Sequence, residues 1–341
     1  MMSQCNSSEN VMNEIIAKYL EDKNILITGG TGSFGNTIIR YLLKFKPSRI
    51  IVYSRDEAKQ YEMQNSFQGN CLEFLIGDVR DYPRVFEATR GVDVIYHAAA
   101  LKQVPNCEFQ PFEAVQTNII GAENIRKAAI ANDVSVVVSV STDKAVKPVN
   151  VMGMTKAIQE KIMLNPGNKN PNTKFVCVRY GNVVGSRGSV IPLFKQRIKN
   201  NEFLPVSNYQ MTRFLLTLDE AIELVFQATV EGKTGQLFVK KMPACKIIDL
   251  AKAMSYAMTK RKDYPIKEVG IRPGEKIHEV LVSEEELRRA VETKNNYIVY
   301  QHGQIDEPKL FRNINEYSSN NTDMLSSEQI IELLKNQGWI Q

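Results

Sequence analysis

From residue 24 onward the chain alternates short, almost wholly apolar runs with longer stretches of helical periodicity. The apolar runs are NILIT (24–28), RIIVY (49–53), LEFLI (72–76), VDVIYHA (92–98), VSVVVSV (134–140) and KFVCVRY (174–180). The helical stretches between them span 34–45, 56–67, 81–90, 111–132 and 151–164. Strands that are apolar at nearly every position are buried on both faces, as in a parallel sheet covered by helices on each side. Strand–helix alternation at this spacing predicts an α/β fold, a Rossmann-type doubly wound parallel sheet.

The flanking regions read differently. Residues 1–23 predict a polar start and a short amphipathic helix with Val11, Ile15, Ile16 and Tyr19 on one side. After Gly181 the rhythm breaks at prolines 192, 205 and 243, and helices are expected near 190–200, 219–230, 246–258 and 284–292. A last helix is expected over 326–337, with Ser326 or Ser327 as its N-cap. The predicted organisation is therefore a helical appendage (1–23), a dinucleotide-binding domain (24–181), and a smaller mixed α/β substrate lobe with a C-terminal tail (182–341). A chain of 341 residues, 43% hydrophobic, can bury the core this requires.

Charge and cysteine usage narrow the partners. Lys plus Arg number 43 and Asp plus Glu 38, a formal net charge of +5 without a dense basic run. That balance suits small anionic ligands and gives no reason to expect nucleic acid. Cys5, Cys71, Cys107, Cys177 and Cys245 form no CxxC pair, and His97, His278 and His302 are scattered, so no metal site is expected. Unpaired thiols suit a reducing compartment. No apolar run approaches the ~20 residues needed to span a bilayer. The first 20 residues lack a signal-peptide core, so a cytoplasmic, membrane-free protein is expected.

The first candidate chemistry lies in ILITGGTGSFG, which places Gly29, Gly32 and Gly35 between the first strand and the first helix. Glycines there permit a tight turn and close backbone approach to a pyrophosphate, and the helix N-terminus offers unpaired N–H groups. The spacing is GxxGxxG, and its position after a clean strand points to a dinucleotide. The second strand ends in VYSRDEAKQ. An acidic residue there would suit NAD, and arginine the 2′-phosphate of NADP. Ser54, Arg55 and Lys59 favour NADP, although Asp56 is adjacent. Asp78 and Val79 follow the third strand on the expected adenine side, and Ala98, Ala99 and Ala100 after the fourth leave room for ribose and phosphates. The fifth strand delivers Ser141, Thr142, Asp143 and Lys144 to the carboxyl edge of the sheet, where ligands bind in such folds.

Taken together, TGGTGSFG, YSRDE, GDVRD, HAAALKQVP, STDK, RYGNVVGSRGSVIP, MTRF and RPGEKIHE resemble the extended short-chain dehydrogenase/reductase family over about residues 24–285. More narrowly, they are similar to its 5-inverting UDP-N-acetylglucosamine 4,6-dehydratases. The resemblance implies NADP as cofactor, a UDP-sugar as substrate, and a homo-oligomer, often a hexamer. It adds Thr31, Ser33, Phe34, Lys102 and Asn118 to the cofactor set. It also implies a redox-neutral reaction in which hydride leaves C4 of the hexose and returns to C6. Lys144 would remove the C5 proton, with its pKa lowered by confinement. Asp143 would protonate the departing C6 hydroxyl, Thr142 would bond the C4 oxygen, and Lys156 would orient the nicotinamide ribose. Asn182, Arg187, Gly188, Ser189, Val190, Arg213, Arg272 and Glu275 would hold the UDP, Lys102 would reach sugar or cofactor, and residues 316–322 would also touch substrate.

The sequence departs from the family pattern at one position. The usual Tyr-x-x-x-Lys is Met152-x-x-x-Lys156, and methionine cannot accept a proton. A positioned base is worth roughly 10²–10⁴-fold. Lys156, Asp143 and a bound water stand as replacements, and a subset of 5-inverting dehydratases carries the same change. Two rivals remain: a nucleotide-sugar 4-epimerase or reductase, and a non-catalytic NADP-binding sensor.

Overall fold

The computed structural model describes residues 2–67, 69–165, 172–186, 188–301 and 315–340, with residues 2–10 described through their backbone alone. Six parallel strands form its centre: β1 (Asn24–Thr28), β2 (Arg49–Ser54), β3 (Leu72–Ile76), β4 (Val94–His97), β5 (Val136–Val140) and β6 (Lys174–Arg179). Ile25, Ile27, Ile50, Val52, Val137 and Val176 are all wholly buried, as uniformly apolar strands require. The chain runs outward from β1 to β2 and β3, then returns so that β4 pairs with the other side of β1. That reversal opens a crevice at the carboxyl ends of β1 and β4, where such sheets bind ligands.

The sheet does not stop at the boundary expected at residue 181. Strand Gln236–Lys240 adds parallel to β6, and Asn296–Tyr300 and Ala290–Glu292 follow antiparallel, giving the order 290–292, 296–300, 236–240, β6, β5, β4, β1, β2, β3. Leu237, Phe238 and Val239 are buried and extend the same core, so the second half of the chain contributes to the first core. A separate apolar cluster, including Ile191, Phe194, Leu204, Leu250, Met254 and Ile330, holds helices Val190–Lys199, Ile247–Thr259 and Ser327–Asn336 together beyond the carboxyl edge. Ser326 caps the last helix in a reciprocal box with Gln329.

Two expectations are corrected. The helix predicted over 284–292 is one turn, Glu284–Leu287, after which Ala290–Glu292 enters the sheet. Ala290 is buried against that sheet, and pairing satisfies its backbone where a continuing helix would leave the sheet edge open. In the N-terminal helix, Met2–Leu20, the buried stripe is Met12, Ile16, Tyr19 and Leu20, whereas Val11 and Ile15 face outward. The i, i+4 relation of Met12, Ile16 and Leu20 sets that face, which lies against helix Leu218–Glu231. No helix among the described residues is long and apolar enough to cross a membrane.

Candidate active site

The glycine turn is shaped by close backbone approach. Gly29 has φ +67°, and a Cβ there would lie 2.9 Å from the backbone of Ala99. A Cβ on Gly35 would lie 1.9 Å from the carbonyl oxygen of Gly30. Neither position accepts a side chain, so helix Ser33–Leu42 starts directly under the turn with its first N–H groups facing the crevice. The crevice holds two joined cavities. One, of about 220 Å³, is lined by Gly29, Thr31, Ser54, Arg55, Asp56, Lys59, Asp78, Val79, Ala99, Ala100 and Thr117, together with Tyr53 and Gly77. The other, of about 520 Å³, is shared with Gly29, Ala99 and Ala100 and runs past Gly32, Ser33, Phe34, Ala98 and Lys102 to the end of β5.

At the end of β2 the one carboxylate is already committed. Asp56 caps helix Glu57–Ser66 by accepting from the Lys59 N–H at 3.0 Å, and it also pairs with the Lys59 ammonium. Arg55 keeps half of its side chain exposed at the cavity and lies 3.5 Å from Asp78. Burial would raise the Asp78 pKa, but Arg80, bonded to it through side chain and backbone and 2.6 Å from its Oδ2, holds the carboxyl below its ordinary range. Asp78 therefore faces the cleft as an anion fixed by two arginines.

The end of β5 brings the expected pair together. The Asp143 side chain is wholly buried. Its Oδ1 accepts from the Thr142 hydroxyl at 2.7 Å and from the Lys144 ammonium at 3.0 Å, while Oδ2 has no partner among the described residues. Thr142 and Lys144 line the larger cavity. The expected lowering of the Lys144 pKa is overturned. Burial pulls it down, but Asp143 and then Glu279, whose Oε1 lies 3.6 Å away, outweigh burial and the opposing Arg213, so its ammonium form is held above the ordinary lysine range.

Lys156 is the lysine that burial does shift. Its pKa falls to about 8, with Cys177 and Glu160 opposing the burial effect. Its Nζ donates to the Val140 carbonyl at 2.6 Å and to Gln159 Oε1 at 2.7 Å. Met152, buried one helical turn earlier, lines the cavity beside it. Helix Val151–Met163 is held by Asn150, whose Oδ1 caps the Gly153 N–H at 2.7 Å and whose Nδ2 donates to the Gly274 carbonyl at 2.8 Å. Behind it, Arg179 is buried between Glu160 and Glu286 and ties β6 to this helix and to the 281–286 segment.

On the substrate side, Asn182, Gly188, Ser189 and Arg272 line the larger cavity. Asn182 Oδ1 and Ser189 Oγ are buried there without a partner among the described residues, as is Thr117 Oγ1 in the smaller cavity. Buried polar atoms are normally bonded, so these three are open to a polar ligand or to water in the cleft. Glu275 accepts from the Arg272 N–H at 3.1 Å and shapes that turn. Val190 opens helix Val190–Lys199 at the cavity's rim. Arg187 lies outside the described residues.

Three expected site positions are held by protein partners away from the lining of the two cavities. Arg213 does not line the cleft; its guanidinium donates to the carbonyls of Thr212 (2.7 Å), Lys276 (2.9 Å) and Ile277 (3.1 Å), and its Nε lies 3.7 Å from Glu279. Asn118 is buried behind the wall, bonded to both backbone groups of Leu101 and to Thr155, so it pins the Leu101 loop and lines neither of the two cavities. In segment 316–322, Ser319 is wholly buried and its hydroxyl accepts from the Glu279 N–H at 2.9 Å, so its reach is to Glu279. Reading the sequence passed over Thr117 and Gln103, which line the smaller and the larger cavity, and Glu279, which lies 3.6 Å from Lys144. Glu279 stands in RPGEKIHE, but its partners come from distant segments and no local spacing announces them.

With this geometry in place, the comparisons are specific. The model of a family described as "Polysaccharide biosynthesis protein" matches residues 25–301. A protein of Rickettsia bellii named UDP-glucose 4-epimerase is 44% identical over 334 residues, covering 94% of this chain and 97% of its own length. The X-ray structure of Pen from Bacillus thuringiensis superposes with a TM-score of 0.88 at 38% identity, covering 95% of this chain and all of that one. The structure of DesIV from Streptomyces venezuelae, a dTDP-glucose 4,6-dehydratase with NAD and TYD bound, shares the fold with a TM-score of 0.69 at 18% identity, over 93% of this chain and 99% of its own.

Proposed function

The chain belongs to the polysaccharide biosynthesis protein family, and on that premise we propose that it is an NADP-dependent enzyme that removes water from UDP-N-acetylglucosamine across C5 and C6 with inversion at C5, leaving a 4-ketone. The observation that carries this reading is the Asp143–Lys144 pair, 3.0 Å apart at the end of β5, with Lys144 lining the cavity that Thr142 and Lys156 also line and Asp143 buried directly behind it. Removal of a C5 proton and loss of a C6 hydroxyl need a base and an acid side by side, whereas inversion at C4 alone needs neither at C5 or C6.

The residues present fit a dinucleotide. Gly29 approaches the Ala99 backbone too closely for a side chain, which leaves the turn's backbone open to a pyrophosphate, and the Thr117 hydroxyl in the smaller cavity is free to bond a polar ligand. Commitment of Asp56 to its helix cap, beside the half-exposed Arg55, supports a 2′-phosphate over a free 2′-hydroxyl. When bound, the nicotinamide supplies an acceptor for the C4 hydride that later gives it back at C6. Lys156, neutral above about pH 8, replaces the missing tyrosine as acceptor of the C4 hydroxyl proton, with Met152 filling the tyrosine's place.

The resting ion pair is not itself the working form. Transfer of one proton from Lys144 Nζ to Asp143 Oδ1 gives an amine and a carboxylic acid without changing the net charge. Filling of the cleft by substrate excludes water and disfavours the charged pair relative to the neutral one. Lys144 then takes the C5 proton and Asp143 delivers one to the leaving hydroxyl, which departs as water; once hydride has returned to C6, a solvent-derived proton added to C5 on the opposite face completes the product with inversion. Asn182 and Ser189 supply the buried polar atoms for the nucleotide, with Arg272 at the diphosphate. A homo-oligomer belongs to the same reading.

The name of the Rickettsia relative favours a second reading, a 4-epimerase. Incubation with UDP-N-acetylglucosamine separates them. Loss of one water, with inverted C5 stereochemistry by NMR, supports the dehydratase, and an isomer of unchanged mass supports the epimerase.

A further inference from the structure

Glu279 is placed with unusual constraint for a residue outside the lining of the two cavities described above. It is buried, and its main chain is clamped on both sides by Ser319: the Glu279 N–H donates to Ser319 Oγ at 2.9 Å, and the Ser319 N–H donates to the Glu279 carbonyl at 2.8 Å. Ser319 is in turn bonded to Thr212 at 2.6 Å. The carboxylate Oε1 sits between Lys144 (3.6 Å) and Arg213 Nε (3.7 Å), while Oε2 finds no partner among the described residues. A carboxylate kept for stability would use both oxygens, because a buried charge with incomplete pairing costs more than an apolar side chain of the same size. This one is held at ion-pair range from the amine that the reaction needs.

We propose that Glu279 is a positioning residue that sets the charge state of Lys144, holding its ammonium form beside Asp143 until substrate fills the cleft, with Arg213 tempering that hold. The role of Lys144 as base rests on the dehydratase reading; the charge coupling does not. The ionisable groups that face Lys144 and Glu279 are Asp143 on the β5 turn, Arg213 on strand Thr212–Leu216, Lys276 and His278 on the approach to Glu279, and Glu316 beside Ser319. Lys276 donates to the Val146 carbonyl at 2.6 Å, and burial holds its pKa down. His278 is bonded to Thr212, with its pKa lowered by burial and then by Arg213. Glu316 pairs with Lys147. Among the described residues, Glu279 is the carboxylate other than Asp143 that lies within ion-pair range of Lys144.

The coupling has opposite signs for its two neighbours, and a merely structural role would not reproduce that. In Glu279→Gln one attracting charge is lost, Arg213 keeps its three backbone acceptors, and the Lys144 amine should be released at lower pH. In Arg213→Gln a repelling charge is lost and release should move to higher pH. The measurement is acetylation of Lys144 by acetic anhydride in the full-length protein, read on its proteolytic peptide by mass spectrometry from neutral to alkaline pH. The midpoint should fall by about one pH unit or more in Glu279→Gln, as for loss of an opposite charge within about 4 Å, and rise in Arg213→Gln. An unmoved midpoint in Glu279→Gln overturns the proposal; should that variant fail to fold, an unmoved or lowered midpoint in Arg213→Gln does so. Product from UDP-N-acetylglucosamine is assayed on the wild type alongside. An epimer with shifted midpoints removes the dehydratase reading and leaves the coupling. A dehydrated product with unmoved midpoints does the reverse.

Discussion

Replacing Arg179 with methionine should unfold the wall behind the catalytic helix, and the structure sets the size of the effect. Arg179 is almost wholly buried, 2.5 Å from Glu160 and 2.9 Å from Glu286, with a further bond to the Leu281 carbonyl at 2.8 Å. Burial would raise the Glu286 pKa, but the charge and hydrogen bonds of Arg179, with a backbone bond from Ser283, take it from 4.5 to about 2. At about 1.4 kcal/mol per pH unit, that depression corresponds to roughly 3 kcal/mol of native-state stability. The contribution is fully present above pH 4.5 and is lost as pH falls toward 2. Removing the arginine leaves two carboxylates buried together, and the cost at neutral pH should be about 3–5 kcal/mol. The acid slope should also reverse. Without Arg179, burial raises the Glu286 pKa above its unfolded value, so mild acidification should stabilise the variant, while the wild type keeps this contribution until the pH falls below 4.5. Urea unfolding followed by circular dichroism at neutral and mildly acidic pH measures both. A loss under about 1 kcal/mol, or a variant whose stability falls with acid as the wild type's does, would refute the reasoning.

Other perturbations test the cleft itself. Arg55→Ala should weaken NADP binding about tenfold or more, the loss of a charged hydrogen bond, and leave NAD binding unchanged in a fluorescence titration; equal loss for both would detach Arg55 from the 2′-phosphate. Because Lys156 must lose its proton to act, the rate should climb about tenfold per pH unit below its value of about 8 and level above it. Lys156→Arg, whose charge cannot be removed, should abolish turnover across the range, and a surviving limb near 8 would assign it to another group. Trp339, the chain's single tryptophan, packs on Gly185 in the loop that carries Ser186, Gly188 and Ser189 to the cavity. Its fluorescence should therefore change on UDP addition, and Trp339→Ala should raise KM for the sugar nucleotide several-fold with kcat little altered.

What could be read from the sequence was what depends on local pattern. Strands β1, β2, β4, β5 and β6 were legible because their centres are apolar on both faces, the edge strand β3 because its run is apolar but for Glu73, and the glycine turn because glycines follow a clean strand at GxxGxxG spacing. Asp143 and Lys144 were legible as a pair because they are adjacent at a strand end. What failed depends on contacts between distant segments. Arg213 reads as a phosphate ligand until the carbonyls of Lys276 and Ile277 are seen to occupy it. Lys144 reads as a lysine stripped of its proton by burial, because burial is anticipated and the second carboxylate, Glu279, is not. Asn118 reads as a cofactor contact until the Leu101 backbone is found to hold it. The boundary at residue 181 fails because Gln236–Lys240 returns to pair with β6, and nothing within that strand says which edge it will join.

The account turns on whether Lys144 and Asp143 act on C5 and C6 of the hexose. Incubation of the NADP-loaded protein with UDP-N-acetylglucosamine in deuterium oxide, followed by NMR of the product, addresses this directly. The prediction is a dehydrated 4-keto sugar carrying solvent deuterium at C5, with neither dehydration nor C5 exchange in Lys144→Ala. A product of unchanged mass with protium retained at C5, or full C5 exchange in Lys144→Ala, would contradict it.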